Sequence, residues 1–162
     1  MTGGRSLALG LGLASVVVVL DQVTKSMVLE TMLPARVPIE VTSFFNLVLT
    51  WNRGVSFGLF NTDSPYNSVV LIALAVLVAI GLGVWLWREP APILRTALGF
   101  IIGGAIGNAI DRYRHDGVVD FLDVHVGNLH WPAFNVADSA ITVGAALLLV
   151  DALLNGAEPS GK

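Results

Sequence analysis

Four long apolar stretches, separated by polar ones, set the pattern of this chain. The first runs from Ser6 to Leu29, behind Arg5, and its two charges, Asp21 and Lys25, fall toward its far end. The second, Tyr66 to Trp87, carries no charge and has the ~20 residues needed to cross a hydrocarbon core. Tyr66, Trp85 and Trp87 stand where interfacial aromatics anchor a span. After the short link Arg88-Glu89-Pro90-Ala91-Pro92 a third stretch, Ile93–Ile110, must return alongside the second. Its Gly99, Gly103 and Gly107 recur every four residues, which lets helix backbones approach closely in lipid. A hairpin loop follows, then the fourth stretch, Val136–Leu154. The tail from Glu158 to Lys162 reads as disordered.

Between the first two stretches, 30–65 is too polar to span. Pro34 and Pro38 break it, and then Phe45, Leu47, Leu49 and Trp51 alternate with Asn46, Val48, Thr50 and Asn52. Period-two alternation predicts a half-buried strand. The expected fold is an all-α integral membrane protein: one domain over 1–162, four transmembrane helices (6–29, 66–87, 93–110, 136–154), and a small sheet on the membrane surface between helices 1 and 2.

Composition agrees. The 162 residues are 54% hydrophobic and 13% charged, against about 25% charge in a typical soluble domain. Net charge is −3 with no basic cluster, so nucleic acid is not an expected partner. Cysteine is absent, which removes disulfides, thiolate metal sites and a cysteine nucleophile. A cleaved signal peptide at the start is disfavoured, because no small-x-small site follows and apolar character resumes at Met27-Val28-Leu29. Four spans put both termini on one side. The short-loop arginines Arg88 and Arg95 lie on that side and favour the cytoplasm for it, although Lys25, Arg36, Arg53, Arg112 and Arg114 lie opposite.

The stretch from Gly103 to Ser139 changes the picture most. It leaves one apolar segment, holds Asp111, Asp116, Asp120 and Asp123, and enters another still carrying Asp138. Carboxylates at a lipid boundary are expensive and mark chemistry or binding. The topology brings Asp21, Asp111, Asp120 and Asp138 to one membrane face, with Asn52, Asn108 and Asn135. Two carboxylates held close share a proton near neutral pH, supplying a general base and a general acid. Asp120, in Val118-Val119-Asp120-Phe121-Leu122, and Asp138, one turn after Asn135, are the candidate catalytic pair.

Plainer readings stand beside this one. Asp138 suits an N-terminal helix cap, and Asp120 a turn or strand edge after Gly117. Asp21 and Asp111 read as structural, pairing with Lys25 and Arg112, and Asp116 and Asp123 as solvated. Gly54-Val55-Ser56-Phe57-Gly58 matches G-x-S-x-G but lacks the strand-to-helix context of a hydrolase serine. His115, His125 and His130 lack metal-ligand spacing, so neither a metal nor another cofactor is expected.

Together these motifs resemble the lipoprotein signal peptidases, or signal peptidase II. Asp21-Gln22-Val23-Thr24-Lys25 is similar to the family's block at the end of helix one. Asn52-Arg53-Gly54 with Ser56-Phe57 resembles the second block, and Gly103-Gly104-Ala105-Ile106-Gly107-Asn108 through Asp111-Arg112 the third. Val119-Asp120-Phe121 and Phe134-Asn135-Val136-Ala137-Asp138 are similar to the two blocks that carry the catalytic aspartates.

The resemblance implies an aspartic endopeptidase of the bacterial inner membrane. Its expected substrate is a diacylglyceryl-modified prolipoprotein lying in the lipid, cut just before the lipidated cysteine. It also implies inhibition by globomycin-type cyclic peptides, a sheet that cradles the substrate, and a site near the extracytoplasmic face. Asp21, Lys25, Asn52, Gly54, Gly104, Asn108, Asp111, Arg112 and Asn135 become the expected substrate-binding or supporting residues. A small ion- or proton-coupled transporter would also keep carboxylates in lipid, but it calls for polar residues midway through several helices. Tyr66–Trp87 has none in its central run. A non-catalytic scaffold gives no reason for converging aspartates and asparagines.

Overall fold

The computed structural model of the chain describes residues 3–32, 37–54 and 66–155. Its body is four helices: α1 (Gly3–Met32), α2 (Asn67–Arg88), α3 (Pro92–His115) and α4 (Val136–Asn155). All four are long and apolar enough to cross a membrane. Large apolar side chains such as Val19, Leu77 and Leu153 point outward, Leu77 at 67% exposure. Contiguous apolar surface of that kind suits lipid, not water.

One helix sits inside the other three. The most apolar window of α3 is 44% buried, against 11% for α2, and α3 packs on α1, α2 and α4. Its glycines explain how. A Cβ at Gly103 would lie 2.7 Å from the Ala14 carbonyl oxygen of α1. At Gly104, on the other side, it would run into the Ala137 carbonyl and lie 2.7 Å from Ile141 Cγ1 of α4. Backbone therefore meets backbone, the contact that replaces hydrophobic driving force between helices in lipid. Leu86, Leu98, Ile102 and Ala14 fill the apolar core at one end of the bundle.

The helices outrun their apolar patterns where the chain turns polar. The sequence predicts α1 to end at Leu29 and α3 at Ile110, but they continue to Met32 and His115. Hydropathy marks where lipid ends, whereas backbone hydrogen bonds carry the helix beyond it. Asp116 stops α3 in the left-handed region (φ 56°), its N–H returning to the Arg112 carbonyl. Asp116 is exposed, as expected.

The sheet differs from expectation in its source. Among the described residues it has four antiparallel strands in the order β1 (Ile39–Thr42), β2 (Phe45–Asn52), β3 (Val118–Val126) and β4 (Leu129–His130). Half of it therefore comes from the α3–α4 connection, which the sequence reads as a hairpin loop. Residues 118–121 of β3 are all buried, so no alternation announced a strand.

The predicted alternation in β2 is also broken. Leu47 pairs with Leu122, but Thr50 pairs with Asp120, so one extra residue is inserted in β2. Because side chains alternate faces, that bulge moves Asn52 to the face opposite Asn46. Asn46 bonds Asp123 at 3.0 Å, and Asn52 bonds Asp120 at 3.0 Å. The underside of the sheet rests on the end of α1, where Val28 and Met32 meet Phe121.

Candidate active site

Asp120 lies in the buried half of β3 and Asp138 in the first turn of α4. They are joined through two amides. Asn135 Nδ2 donates to Asp120 Oδ1 at 2.7 Å and to Asn108 Oδ1 at 3.3 Å, and Asn108 Nδ2 donates to Asp138 Oδ1 at 2.8 Å. Asp120 also accepts from Asn52. Desolvation by burial and the nearby Asp138 charge push the Asp120 carboxyl up to about 7, against the pull of Asn52, Asn135 and Lys25. A carboxyl at that value exchanges its proton at neutral pH.

Asp138 is not the helix cap. Asn135 Oδ1 accepts the Asp138 N–H at 2.9 Å, and Asp21 Oδ1 accepts the Ala137 N–H at 2.9 Å. Two free donors of the first turn are thus satisfied by other side chains. The Asp138 carboxylate is left to face Asn108 and a cleft of about 210 Å3.

Asn52, Asn108, Arg112 and Asp138 line the polar end of this cleft. Leu71, Leu74, Ala75 and Val78 of α2, with Ala105, Val118 and Ile141, line the apolar remainder. Asp120, only 2% exposed, lies behind this polar end. Arg112 donates to the Gly54 carbonyl at 2.7 Å and to the Asn108 carbonyl at 3.3 Å, tying the chain after β2 to α3. Gly54 N–H in turn bonds Asn52 Oδ1 at 3.0 Å. Gly104 reaches the site through backbone, as the contact that seats α4 at Ala137.

The four aspartates and three asparagines named from the sequence all meet here, but one pairing and one expected exposure are corrected. Asp111 pairs with Lys25 (2.9 Å), not with Arg112, because adjacent helix residues point about 100° apart and cannot face each other. Asp123 is buried, not solvated, between Asn46 and His130. Burial pushes its carboxyl up, but hydrogen bonds from His130 and Asn46 outweigh this and hold it below the ordinary value.

Gln22 was missed as a separate contributor. Its amide reaches Asp111 Oδ1 at 2.8 Å and the Gly107 carbonyl at 3.3 Å. Its position one residue after Asp21 was the available signal. Among the histidines, His125 and His130 stack at 4.7 Å, and His115 tilts against Trp51. Among the described residues no group of three His, Asp or Glu side chains is arranged to hold a metal ion. Of the G-x-S-x-G match, Ser56 and all after Gly54 lie outside the described residues, as do Arg36 and the tail.

Comparison with known proteins decides the family. Residues 13–154 match the family model described as Signal peptidase (SPase) II. The chain belongs to the signal peptidase II family.

Lipoprotein signal peptidase from Methylobacterium sp. (strain 4-46) is 46% identical over 91% of this chain and 90% of its own length. That of Paraburkholderia phytofirmans is 46% identical over 91% and 86%. A bacterial membrane enzyme solved in meso at 2.3 Å superposes with a TM-score of 0.78 at 27% identity, covering 94% of this chain and 93% of that one. A second, at 1.9 Å, gives 0.77 at 30% identity over 89% and 92%. As a signal peptidase II the protein is an aspartic peptidase, and its four spans make it a multi-pass bacterial membrane protein.

Proposed function

We propose that this signal peptidase II removes the signal peptide from diacylglyceryl-modified prolipoproteins by cutting just before the lipidated cysteine, with Asp120 and Asp138 as the catalytic dyad. The observation that carries the reading is the pairing of these carboxylates through Asn135 and Asn108 at the polar end of a cleft whose other walls are apolar. A lipid-anchored peptide fits such a cleft: its apolar part lies along α2 while the scissile bond reaches the carboxylates and water. The relatives' name, lipoprotein signal peptidase, supports the substrate class.

The pair shares one proton and titrates as a unit. The ionised member takes a proton from water, whose oxygen attacks the scissile carbonyl carbon. The protonated member polarises that carbonyl, and a proton then passes to the departing amine as the C–N bond breaks. No metal or other cofactor enters. Asn52 and Asn135 hold the Asp120 carboxylate, Asn108 holds Asp138, and Arg112 with Gly54 shapes the polar wall for the substrate's backbone. The site faces the extracytoplasmic side of the inner membrane, the termini lie in the cytoplasm, and globomycin-type peptides compete for the cleft.

Cleavage of a diacylglyceryl-modified prolipoprotein by purified protein in detergent tests the reading. Wild type should cut, with and without EDTA, while Asp120→Asn and Asp138→Asn should fold and not cut. Turnover by either variant would refute the dyad, and chelator-sensitive activity would refute metal independence.

A further inference from the structure

Lys25 is a lysine with 2% exposure among carboxylates, and its contacts go further than an ion pair requires. Its ammonium lies 2.8 Å from Asp21 Oδ2, 2.9 Å from Asp111 Oδ2 and 3.0 Å from Asn108 Oδ1. Each of those three groups has a second bond that ends beside the dyad. Asp111 Oδ2 accepts the N–H of Val119, the residue before Asp120, at 3.0 Å. Asp21 Oδ1 accepts the N–H of Ala137, the residue before Asp138, at 2.9 Å. Asn108 donates to the Asp138 carboxylate itself.

The Asn108 amide is fixed in sense by this arrangement. Lys25 and Asn135 both donate to its oxygen, so its NH2 must face Asp138. One ammonium on α1 thus governs a carboxylate pair carried by β3 and α4, which do not adjoin in sequence. A structural ion pair needs one partner. Two aspartates gripping equivalent main-chain N–H groups, one before each dyad member, form a bracket.

We propose that Lys25 is a positioning residue that sets the spacing of Asp120 and Asp138 by holding Asp21, Asp111 and Asn108 in one bracket. The proposal rests on the dyad reading above and adds the group that holds the dyad's geometry. Lys25 is buried and is not among the residues that line the cleft. Its removal lets β3 and α4 shift relative to each other while the apolar wall that α2 supplies, Leu71, Leu74, Ala75 and Val78, stays in place.

The experiment compares wild type, Lys25→Met, Asp111→Asn and Asp120→Asn in detergent, measuring kcat and KM for a diacylglyceryl-modified prolipoprotein across pH, with the folded fraction by thermal unfolding. Lys25→Met is expected to lower kcat about 100-fold while KM stays within about three-fold, since misplacement near 1 Å costs on that order. The acidic limb of its pH profile should also move to higher pH, because a cation that favours ionised carboxylates is gone. Asp111→Asn should show a smaller kcat loss with the same sign, since its amide oxygen can still accept the Val119 N–H. Wild-type kcat and pH limb in folded Lys25→Met would overturn the bracket. So would activity falling only in step with folded protein in both Lys25→Met and Asp111→Asn, with the limb unmoved. Asp120→Asn separates the two claims: if it still cuts, the dyad reading has failed, and if it is dead while Lys25→Met is normal, only the bracket has.

Discussion

Asn52 donates to Asp120 Oδ2 at 3.0 Å only because a bulge in β2 turns it toward that face of the sheet. An unbroken strand would place Asn52 with Asn46, on the side of Asp123. The bulge thus separates the carboxylate bonded to Asn46, Asp123, from the proposed catalytic one, Asp120, along the same strand β3.

Replacing Asn52 with Ala removes a hydrogen bond that favours the ionised Asp120 carboxyl. That carboxyl should then rise further above about 7. A hydrogen bond to a charged group is worth about 1.5–3 kcal/mol, so kcat/KM should fall about 10- to 100-fold. The acidic limb should move to higher pH. A pH–rate profile checks both, and an unmoved limb would place Asn52 outside the dyad's electrostatics.

Stability should report the same carboxyl. The folded pKa of Asp120 lies near 7, above its ordinary value of 3.8. Its protonated form therefore favours the fold: the contribution is complete below the unfolded value and is lost as pH rises through about 7. Asp120→Asn, which stays neutral, should unfold at a higher temperature than wild type at pH 8 and at a similar one below pH 4. At about 1.4 kcal/mol per pH unit the difference is of a few kcal/mol. Thermal unfolding in detergent across pH measures it.

Gly104→Ala should damage both stability and turnover. Its Cβ would collide with the Ala137 carbonyl and Ile141, and backbone cannot swing aside as a flexible side chain does. Overpacking of this kind costs about 1–3 kcal/mol, exceeding the ~1 kcal/mol that Ala gains over Gly in a helix. Because Ala137 precedes Asp138, kcat should fall as α4 moves off α3. A stable, fully active Gly104→Ala would contradict the close contact.

The distal end of the sheet should behave differently. His130 Nδ1 lies 2.9 Å from Asp123, and Asp123 is held below its ordinary value chiefly against burial by that bond and by Asn46. The stabilisation is present above the unfolded carboxyl value and is lost as pH falls through the folded one. His130→Ala should cost about 1 kcal/mol at neutral pH, a figure already modest because half of the His130 side chain is exposed. It should leave kcat/KM within about two-fold, since the bond does not reach Asp120. Equilibrium unfolding and cleavage assays on one preparation decide it.

The sequence was most informative where one environment dominates. Lipid demands long uninterrupted apolar runs, so the spans Tyr66–Trp87 and Val136–Leu154 agree with α2 and α4 to within about a residue. It was less informative where two environments meet. Strand β3 is buried on both faces at Asp120, which erases alternation, and the ends of α1 and α3 leave the lipid before they end as helices.

The identities and order of Asp21, Asn52, Asn108, Asp111, Asp120, Asn135 and Asp138, and their expected convergence on one face, follow from the chain alone, because four alternating spans put the end of α1, the end of α3 and the start of α4 on the same side. Partner choice did not follow from it. That Asp111 takes Lys25, that Asp123 is buried against Asn46 and His130, and that Asn135 caps α4 so that the Asp138 carboxylate faces Asn108 and the cleft were decided by tertiary structure. Hydrogen bonds act over about 3 Å, and only the packing of α1, α3, α4 and the sheet brings those atoms within that reach.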